Sequence, residues 1–448
     1  MKREIEKYLA EWKVSKGRKP LLIRGARQVG KTYSITKFAQ ENYAQVVYIS
    51  FDIDHFLDRI LSETLNPDVI IDAIQAEKQV KISAADTLII FDEIQEQSRA
   101  LTSFKYFNEN RPDIHIIGTG SALGTLQHKG FSFPVGKVQT KFMRPMTFIE
   151  FVENYKGEQY GDLLSLEKIK NTHYFSKDLI HLLKVYFYTG GMPEVVGDFI
   201  KNKDYVSVRK IQNKILQSYS ADFSKYNDAS TTLKLNAIWN SIPKQISKEN
   251  KKFKFSEVKK SSRADDYLVG LQWLDNSELI HRAYATYTPK VPLKIYEEQN
   301  VFKVFANDIG LLCAMLDVHS KTVLDENSLF TDFQGAIAEQ FVCQQLLDDF
   351  YNLHYWTNEQ YQNEIDFLLQ AWDSCVPVEV KSGFNTQAKS LKVFREKYQP
   401  KLSFRLSLND YNKTDDLIDL PLYAVHLIPK IIEEYNKKPV AQSVVSTP

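Results

Sequence analysis

The sequence predicts an α/β fold: a parallel sheet first, then a helical region, then a second, smaller α/β unit. Three observations predict it. The apolar run Leu21-Leu22-Ile23 leads into Gly25-Ala26-Arg27-Gln28-Val29-Gly30-Lys31-Thr32. Another apolar run, Leu88-Ile89-Ile90-Phe91, ends on Asp92 and Glu93. Strand-like and helix-like stretches alternate over the first 160 residues, as they do where helices cover both faces of a parallel sheet.

Taken in order, residues 1–15 read as an amphipathic helix that the stretch Lys16-Gly17-Arg18-Lys19 and then Pro20 end. Strands are expected at 21–23, 45–51, 87–91 and 114–118, with helices around 68–77 and 98–108. These make a first domain over 1–160. From 161 to 330 helical periodicity dominates, interrupted by Gly190-Gly191-Met192-Pro193. Within it, 255–260 and 263–277 read as helices and the alternating stretch 279–295 as a strand pair, a winged helix-turn-helix pattern. Residues 331–436 read as helix 335–349, strands 353–357, 364–369 and 376–381, helix 388–397 and strand 402–406. Residues 437–448 lack apolar periodicity and are expected to form a mobile tail.

The segment 25–32 fits G-x-x-x-x-G-K-[ST] with a strand before it and a helix after it, the setting of a phosphate-binding loop. Gly25 and Gly30 let the backbone curl so that the N–H groups of Ala26, Arg27, Gln28 and Val29 face phosphate oxygens. Lys31 brings an ammonium to the β- and γ-phosphates, and Thr32 offers a hydroxyl to Mg²⁺. Asp92 ends a buried strand on the edge where open α/β sheets bind ligands, and is the expected second Mg²⁺ holder. Glu93 is the expected base that polarises the attacking water. Thr119, at the next strand end in Gly118-Thr119-Gly120-Ser121, is the first choice for a contact to the γ-phosphate or the water, and Ser121 the second. The cofactors expected are ATP and Mg²⁺. Arg24, Arg27, Arg99, Arg111 and Arg144 are all available as a γ-phosphate arginine, and the sequence does not choose among them.

Composition narrows the partners. With 57 Lys and Arg against 56 Asp and Glu, the net charge is +1, so any nucleic-acid site is a local patch rather than a basic domain. The three cysteines are widely spaced without a C-x-x-C pair, which excludes a disulfide framework or zinc pattern. The charged N-terminus is unlike a signal peptide, and no apolar run reaches membrane-spanning length. A cytoplasmic chain with no membrane partner is expected.

The loop in the form GARQVGKT followed by Tyr33, the strand end Ile90-Phe91-Asp92-Glu93-Ile94-Gln95, the segment Pro145-Met146-Thr147-Phe148-Ile149-Glu150-Phe151 and the turn Gly190-Gly191-Met192-Pro193-Glu194-Val195-Val196 go together. In these motifs the chain resembles the bacterial and archaeal P-loop ATPases of the AAA+/STAND type that carry a C-terminal domain of unknown function. It departs at Gly136-Lys137, where the group has Gly-Arg; lysine cannot make the bidentate phosphate contact of arginine.

In the C-terminal unit, Glu339 lies on a helix, Asp366 opens a strand, and Glu379-Val380-Lys381 follows on the next. Glu379 and Lys381 are two apart and so share a face of their strand, which Asp366 can reach from a neighbour. Gln387 and Lys389 open the following helix. Two carboxylates and a lysine can hold Mg²⁺ and steady a water attacking a phosphodiester. The set resembles the PD-(D/E)XK nuclease core, with Glu339 as the first-helix acid, and the resemblance implies a restriction-endonuclease-like domain. Lys251, Lys252, Lys259, Lys260 and Arg263 are candidate phosphate contacts.

Two functions are consistent with these residues. One is an ATP-hydrolysing ATPase coupled to a nuclease-like module with DNA as a partner. The other is a nucleotide-dependent switch or scaffold with an inactive nuclease-like domain. A homo-oligomer is a candidate state for both.

Overall fold

A strand buried on both faces needs apolar side chains at successive positions, and the run Leu88-Ile89-Ile90-Phe91 of the first sheet has them. The computed structural model describes residues 1–84, 86–121, 134–247, 252–260, 265–324, 331–347, 352–371 and 373–437. The chain begins with α1 (Glu4–Val14), β1 (Leu21–Arg24), α2 (Lys31–Asn42), β2 (Gln45–Ser50), α3 (Asp58–Glu63) and α4 (Pro67–Lys78). It continues with β3 (Thr87–Asp92), α5 (Ser98–Asn110), β4 (His115–Gly120), β5 (Gln139–Phe142), α6 (Phe148–Lys156) and α7 (Glu158–Asp162). Then come α8 (Ser176–Thr189), α9 (Pro193–Asn202), α10 (Tyr205–Tyr226), α11 (Ala229–Ile246), α12 (Phe255–Val258) and α13 (Asp265–Asn276). The strands β6 (Ile280–Thr286) and β7 (Glu297–Ala306) precede α14 (Ile309–Met315), α15 (Ser320–Leu324) and α16 (Thr331–Leu346). The chain closes with β8 (Leu353–Thr357), β9 (Glu364–Gln370), β10 (Cys375–Val380), α17 (Lys389–Tyr398), β11 (Ser403–Ser407), β12 (Asn412–Thr414), β13 (Leu417–Pro421) and α18 (Ile428–Lys437).

These elements form two compact units, each assembled from separated stretches of chain. The first takes Met1–Met146, Gly190–Ser241 and Phe255–His281; the second takes Thr147–Thr189, Ile242–Lys254 and the described residues from Arg282 onward.

In the first unit a parallel sheet runs β2-β3-β4-β1-β5. Every residue of β3 and β4 is buried. The register pairs Ser50 with Asp92, Phe91 with Gly118, and Arg24 with Gly120, so the loop after β1, the acids ending β3 and the polar end of β4 share one sheet edge. Leu22, Ile49, Phe91, Phe104 and Ile116 belong to its core. A Cβ at Gly118 would stand 2.9 Å from Phe104 Cζ, so glycine here lets α5 lie close on β4.

In the second unit the sheet order is β12-β13-β11-β10-β9-β8-β6-β7 among the described residues. β8, β9 and β10 are antiparallel in turn, while β11 runs parallel to β10. α6 starts with a capping box: Thr147 Oγ1 accepts from the Glu150 N–H and Glu150 Oε2 accepts from the Thr147 N–H. Phe148 and Phe151 are buried from the same turn. The Thr-Phe-x-Glu-Phe motif is therefore a helix start with its cap, worth ~1 kcal/mol.

The strand pair expected at 279–295 differs. One strand, β6, occupies its first half; the second, β7, begins only at Glu297, because Pro289 and Pro292 in the connection lack the N–H a ladder needs. Both strands belong to the same sheet as the C-terminal strands rather than forming a free wing. Lys251 and Arg263 lie outside the described residues, as do residues 438–448 of the tail expected over 437–448; its first residue, Lys437, ends α18. No helix among the described residues is long and apolar enough to cross a membrane.

Candidate functional site

The loop between β1 and α2 curls because its residues allow it. Gly25 takes φ 153°, Gln28 66° and Gly30 91°. A Cβ on Gly25 would lie 2.0 Å from the carbonyl oxygen of Met143, so a larger residue cannot occupy the turn. Arg3, from the residue before α1, braces the loop, donating to Val29 O at 2.9 Å and to Arg144 O at 2.7 Å.

Lys31 is the first residue of α2 and is 7% exposed. Its ammonium spans the curl, donating to Gly25 O at 2.9 Å and Ala26 O at 2.8 Å. Burial lowers its pKa to about 8, against the attraction of Glu93 and Asp92.

Asp92 collects donors from two other strands, from the loop helix and from the residue that follows it. Thr32 Oγ1 donates to Oδ2 at 2.8 Å, and the Tyr48 hydroxyl donates to the same oxygen at 2.5 Å. Thr119 Oγ1 donates to Oδ1 at 2.6 Å, as does the Glu93 N–H at 3.0 Å. Thr119, expected at the phosphate or the water, thus holds the acid in place. Glu93 has φ 47°; its Oε2 accepts from the Gln95 amide and from Ser121 Oγ at 3.4 Å.

Ammonium, curled backbone and helix start are the means by which proteins hold a triphosphate. Thr32 and Asp92 bring two hard oxygen groups side by side, 2.8 Å apart, and Mg²⁺ prefers such oxygen ligands. The residues fit Mg-ATP. Tyr48 and the contact of Gln95 with Glu93 are not legible in the sequence: Tyr48 is one aromatic among many on strands, and the motif that ends on Gln95 gives no partner for its amide.

Four of the five candidate arginines are committed elsewhere. Arg24 donates to Asn276 O at 3.3 Å, and Arg144 pairs with Glu278 at 3.3 Å; their guanidiniums lie 5.1 and 5.2 Å from the Phe142 ring. Arg99 donates to Leu61 O, and Arg111 pairs with Asp68 and Asp113. Lys137, at the departure from the family pattern, pairs with Glu109 at 3.0 Å. Arg27 stays in the loop with its side chain 49% exposed and pairs with Asp222 of α10 at 2.5 Å. One face of α10 continues the contact: the Tyr219 hydroxyl donates to Arg27 O at 3.0 Å, while Lys225 and Tyr226 donate to Glu96 Oε1 at 2.9 and 3.0 Å. The helix therefore touches both the phosphate loop and the segment after Glu93.

The C-terminal acids also converge, within the second unit. β9 and β10 pair as far as Phe367 and Val378 and then part, so the Val380 N–H finds Asp366 Oδ2 at 2.7 Å instead of a backbone carbonyl. Glu379 Oε1 meets Lys381 at 2.8 Å. Glu339 is 5% exposed. At their centre is a residue outside the expected set, Lys303 of β7, 2.6 Å from Glu364 Oε1 and 3.4 Å from Glu339 Oε2. Burial alone would lower its pKa, but Glu364, Glu339 and Asp366 together raise it well above the ordinary lysine value. Burial raises Glu379, against the pull of Lys381. The signal for Lys303 was one charge inside the apolar run Val301-Phe302-Lys303-Val304-Phe305. Among the described residues no three His, Cys, Asp or Glu side chains are arranged to hold a metal ion. Gln387 precedes α17, its N–H on Asn385 Oδ1 at 3.0 Å, and Lys389 is the first residue of that helix.

Family models match three stretches of the chain. Residues 17–152 match the family model described as an AAA domain, and this region is an AAA-type, ATPase-like domain. Residues 180–322 and 334–424 match two families described only as domains of unknown function. No curated protein sequence matches the chain. Among solved structures, the chain is similar to Cdc6p from Pyrobaculum aerophilum, at 11% identity over 70% of this chain and 91% of that one, with a TM-score of 0.24. It is similar to the Aeropyrum pernix ORC1 protein in complex with DNA, at 9% identity over 70% and 90% of the two chains, TM-score 0.27. C. elegans PCH-2 matches at 15% identity over 47% and 68%, TM-score 0.23. No function is read from matches at these scores.

Proposed function

We propose that the first unit hydrolyses ATP with Mg²⁺, and that α10 carries the nucleotide state away from the site. The observation that carries this reading is the contact of Thr32 Oγ1 with Asp92 Oδ2 at 2.8 Å, beside a loop curled around the buried Lys31 ammonium. The N–H groups of residues 26–30 bind phosphate oxygens, with Lys31 exchanging its two carbonyl partners for the β- and γ-phosphates. Thr32 and Asp92 would hold Mg²⁺, with Thr119 fixing the Asp92 carboxylate, and the ion would supply positive charge against that developing on the phosphates. Glu93, released from Gln95 and Ser121, accepts a proton from water as its oxygen bonds to the γ-phosphorus and the bond to the β,γ-bridging oxygen breaks.

Arg27 and Glu96 both move in such a cycle, since one sits in the loop and the other three residues beyond Glu93. Their ties to Asp222, Tyr219, Lys225 and Tyr226 make α10 the element that responds. For the C-terminal unit we propose a nuclease-like topology, supported by the order α16-β8-β9-β10-α17-β11 and by the parting of β9 from β10 at Asp366. DNA and further copies of the chain are the proposed partners.

The test is ATP turnover and retention in wild type, Lys31→Ala and Glu93→Gln, with and without DNA. Lys31→Ala should lose ATP binding. Glu93→Gln should keep ATP while turnover falls by about 10²-fold or more. Unchanged turnover in Glu93→Gln removes the base role, and hydrolysis indifferent to DNA removes DNA as a partner of the ATPase.

A further inference from the structure

The acids expected to hold a catalytic metal in the second unit already have a cation. Lys303 is 1% exposed. Its ammonium is 2.6 Å from Glu364 Oε1 and 3.4 Å from Glu339 Oε2, and 4.8 Å from the centre of the Tyr355 ring. Asp366 adds to the field around it. The remaining acid, Glu379, is held through Oε1 by Lys381 at 2.8 Å, and one Asp366 oxygen is taken by the Val380 N–H at 2.7 Å.

A divalent ion among Glu339, Asp366 and Glu379 would stand next to a buried ammonium that cannot withdraw to solvent, and the like charges would repel in surroundings of low dielectric. Removing the ammonium would instead strand buried carboxylates. Glu379 Oε2 is buried with no hydrogen-bond partner among the described residues, but the same carboxylate already has a cation on Oε1, Lys381 at 2.8 Å.

We infer that Lys303 is the resident cation of this cluster, standing where a nuclease would bind its metal, and that the second unit holds its acids without a divalent ion and does not cleave phosphodiesters. The inference rests on the nuclease-like reading of this unit. It makes the unit a scaffold whose buried charges are neutralised from β7, a strand outside the α16-to-β11 order.

The experiment uses the full chain carrying Lys31→Ala, free of nucleotide so that the phosphate loop contributes no metal site, with Mn²⁺ as probe. Electron paramagnetic resonance and thermal unfolding are followed as Mn²⁺ rises to millimolar levels. The expected result is no bound Mn²⁺ and no shift in Tm. Adding Lys303→Met should create Mn²⁺ binding at least tenfold tighter than the parent, lost again on Asp366→Asn, with Tm restored by the ion. Should Lys303→Met fail to fold, Lys303→Arg, which keeps the charge, should fold and stay metal-free.

Mn²⁺ bound by the parent and lost on Asp366→Asn overturns the inference while strengthening the nuclease-like reading. So does Mg²⁺-dependent cleavage of DNA lost on the same substitution. A folded Lys303→Met that binds no Mn²⁺ overturns both, since the acids would then not be a metal constellation at all. Mn²⁺ bound by a folded Lys303→Arg also overturns the inference.

Discussion

Tyr48 donates its phenolic hydrogen to Asp92 Oδ2, the oxygen that also accepts from Thr32. β2 puts it there: Tyr48 pairs with Ile90 in register, two residues short of Asp92. The phenol takes a lone pair of that oxygen which a cation held by Thr32 and Asp92 would use. A hydrogen bond to a charged group contributes about 1.5–3 kcal/mol, enough to compete with a weakly held ion. Tyr48→Phe should therefore reduce the Mg²⁺ concentration giving half-maximal ATPase by several-fold. The check is a Mg²⁺ titration at saturating ATP. A higher Mg²⁺ requirement would mean that Tyr48 instead holds Asp92 ready for the ion.

Lys31 makes the site pH-dependent. Its folded-state pKa is lowered to about 8 from 10.5 by burial. For a base with a depressed folded pKa, the unfolded chain holds more protons between these values, so stability rises with pH. The nucleotide-free protein should gain stability as pH goes from about 8 toward 10.5. ATP affinity should move oppositely, because the phosphates need the ammonium. Affinity should be flat below about pH 8, then weaken by up to about tenfold per unit above it. Calorimetry in buffers of different ionisation enthalpy should find proton uptake on binding near pH 9. A flat affinity to pH 10 would remove Lys31 from phosphate contact.

Gly191 is fixed by backbone rather than by side chains. A Cβ there would lie 2.1 Å from Met146 O and 2.7 Å from Met146 N, and the Met146 N–H donates to Gly191 O at 2.7 Å. Neither partner is the end of a flexible side chain, so alanine must move the chain. Gly191→Ala should cost ~2 kcal/mol or more. Gly17→Ala, where nothing lies within 4 Å, should stay within ~0.5 kcal/mol. Denaturant unfolding of the two variants side by side is the measurement, and equal midpoints would refute the contact.

The elements with a strong period were legible: strands fully buried at 87–92 and 115–120, and the loop whose glycines and lysine recur for a stated geometric reason. The Gly-Gly-x-Pro-Glu-Val-Val turn and the Thr-Phe-x-Glu-Phe segment were legible as motifs, while their physical meaning, a backbone contact and a capping box, needed the fold. Long-range partners were not legible. Asp222 lies 195 residues from Arg27, and Lys303 36 residues from Glu339, and no local pattern joins such pairs. β12 failed for another cause: Asn412-Lys413-Thr414 is exposed throughout, so it lacks the alternation by which strands are read.

The tie of α10 to the ATP site gives the last prediction. Asp222, pushed up by burial and drawn back by Arg27, is 14% exposed at its side chain, while Arg27 is 49% exposed. A pair this open contributes about 1 kcal/mol or less on its own, so Asp222→Asn should leave the fold intact. Its effect should appear in the response to nucleotide. In wild type, an ATP analogue should change amide exchange over residues 219–226, because Arg27 and the segment after Glu93 shift against the same helix face. In Asp222→Asn combined with Lys225→Ala, that change should fall to less than half while ATP affinity stays within about threefold, ~0.6 kcal/mol. Nucleotide-dependent exchange that survives in the double variant would show that α10 follows the site through its packed core, Tyr219 and Phe223, rather than through its charges.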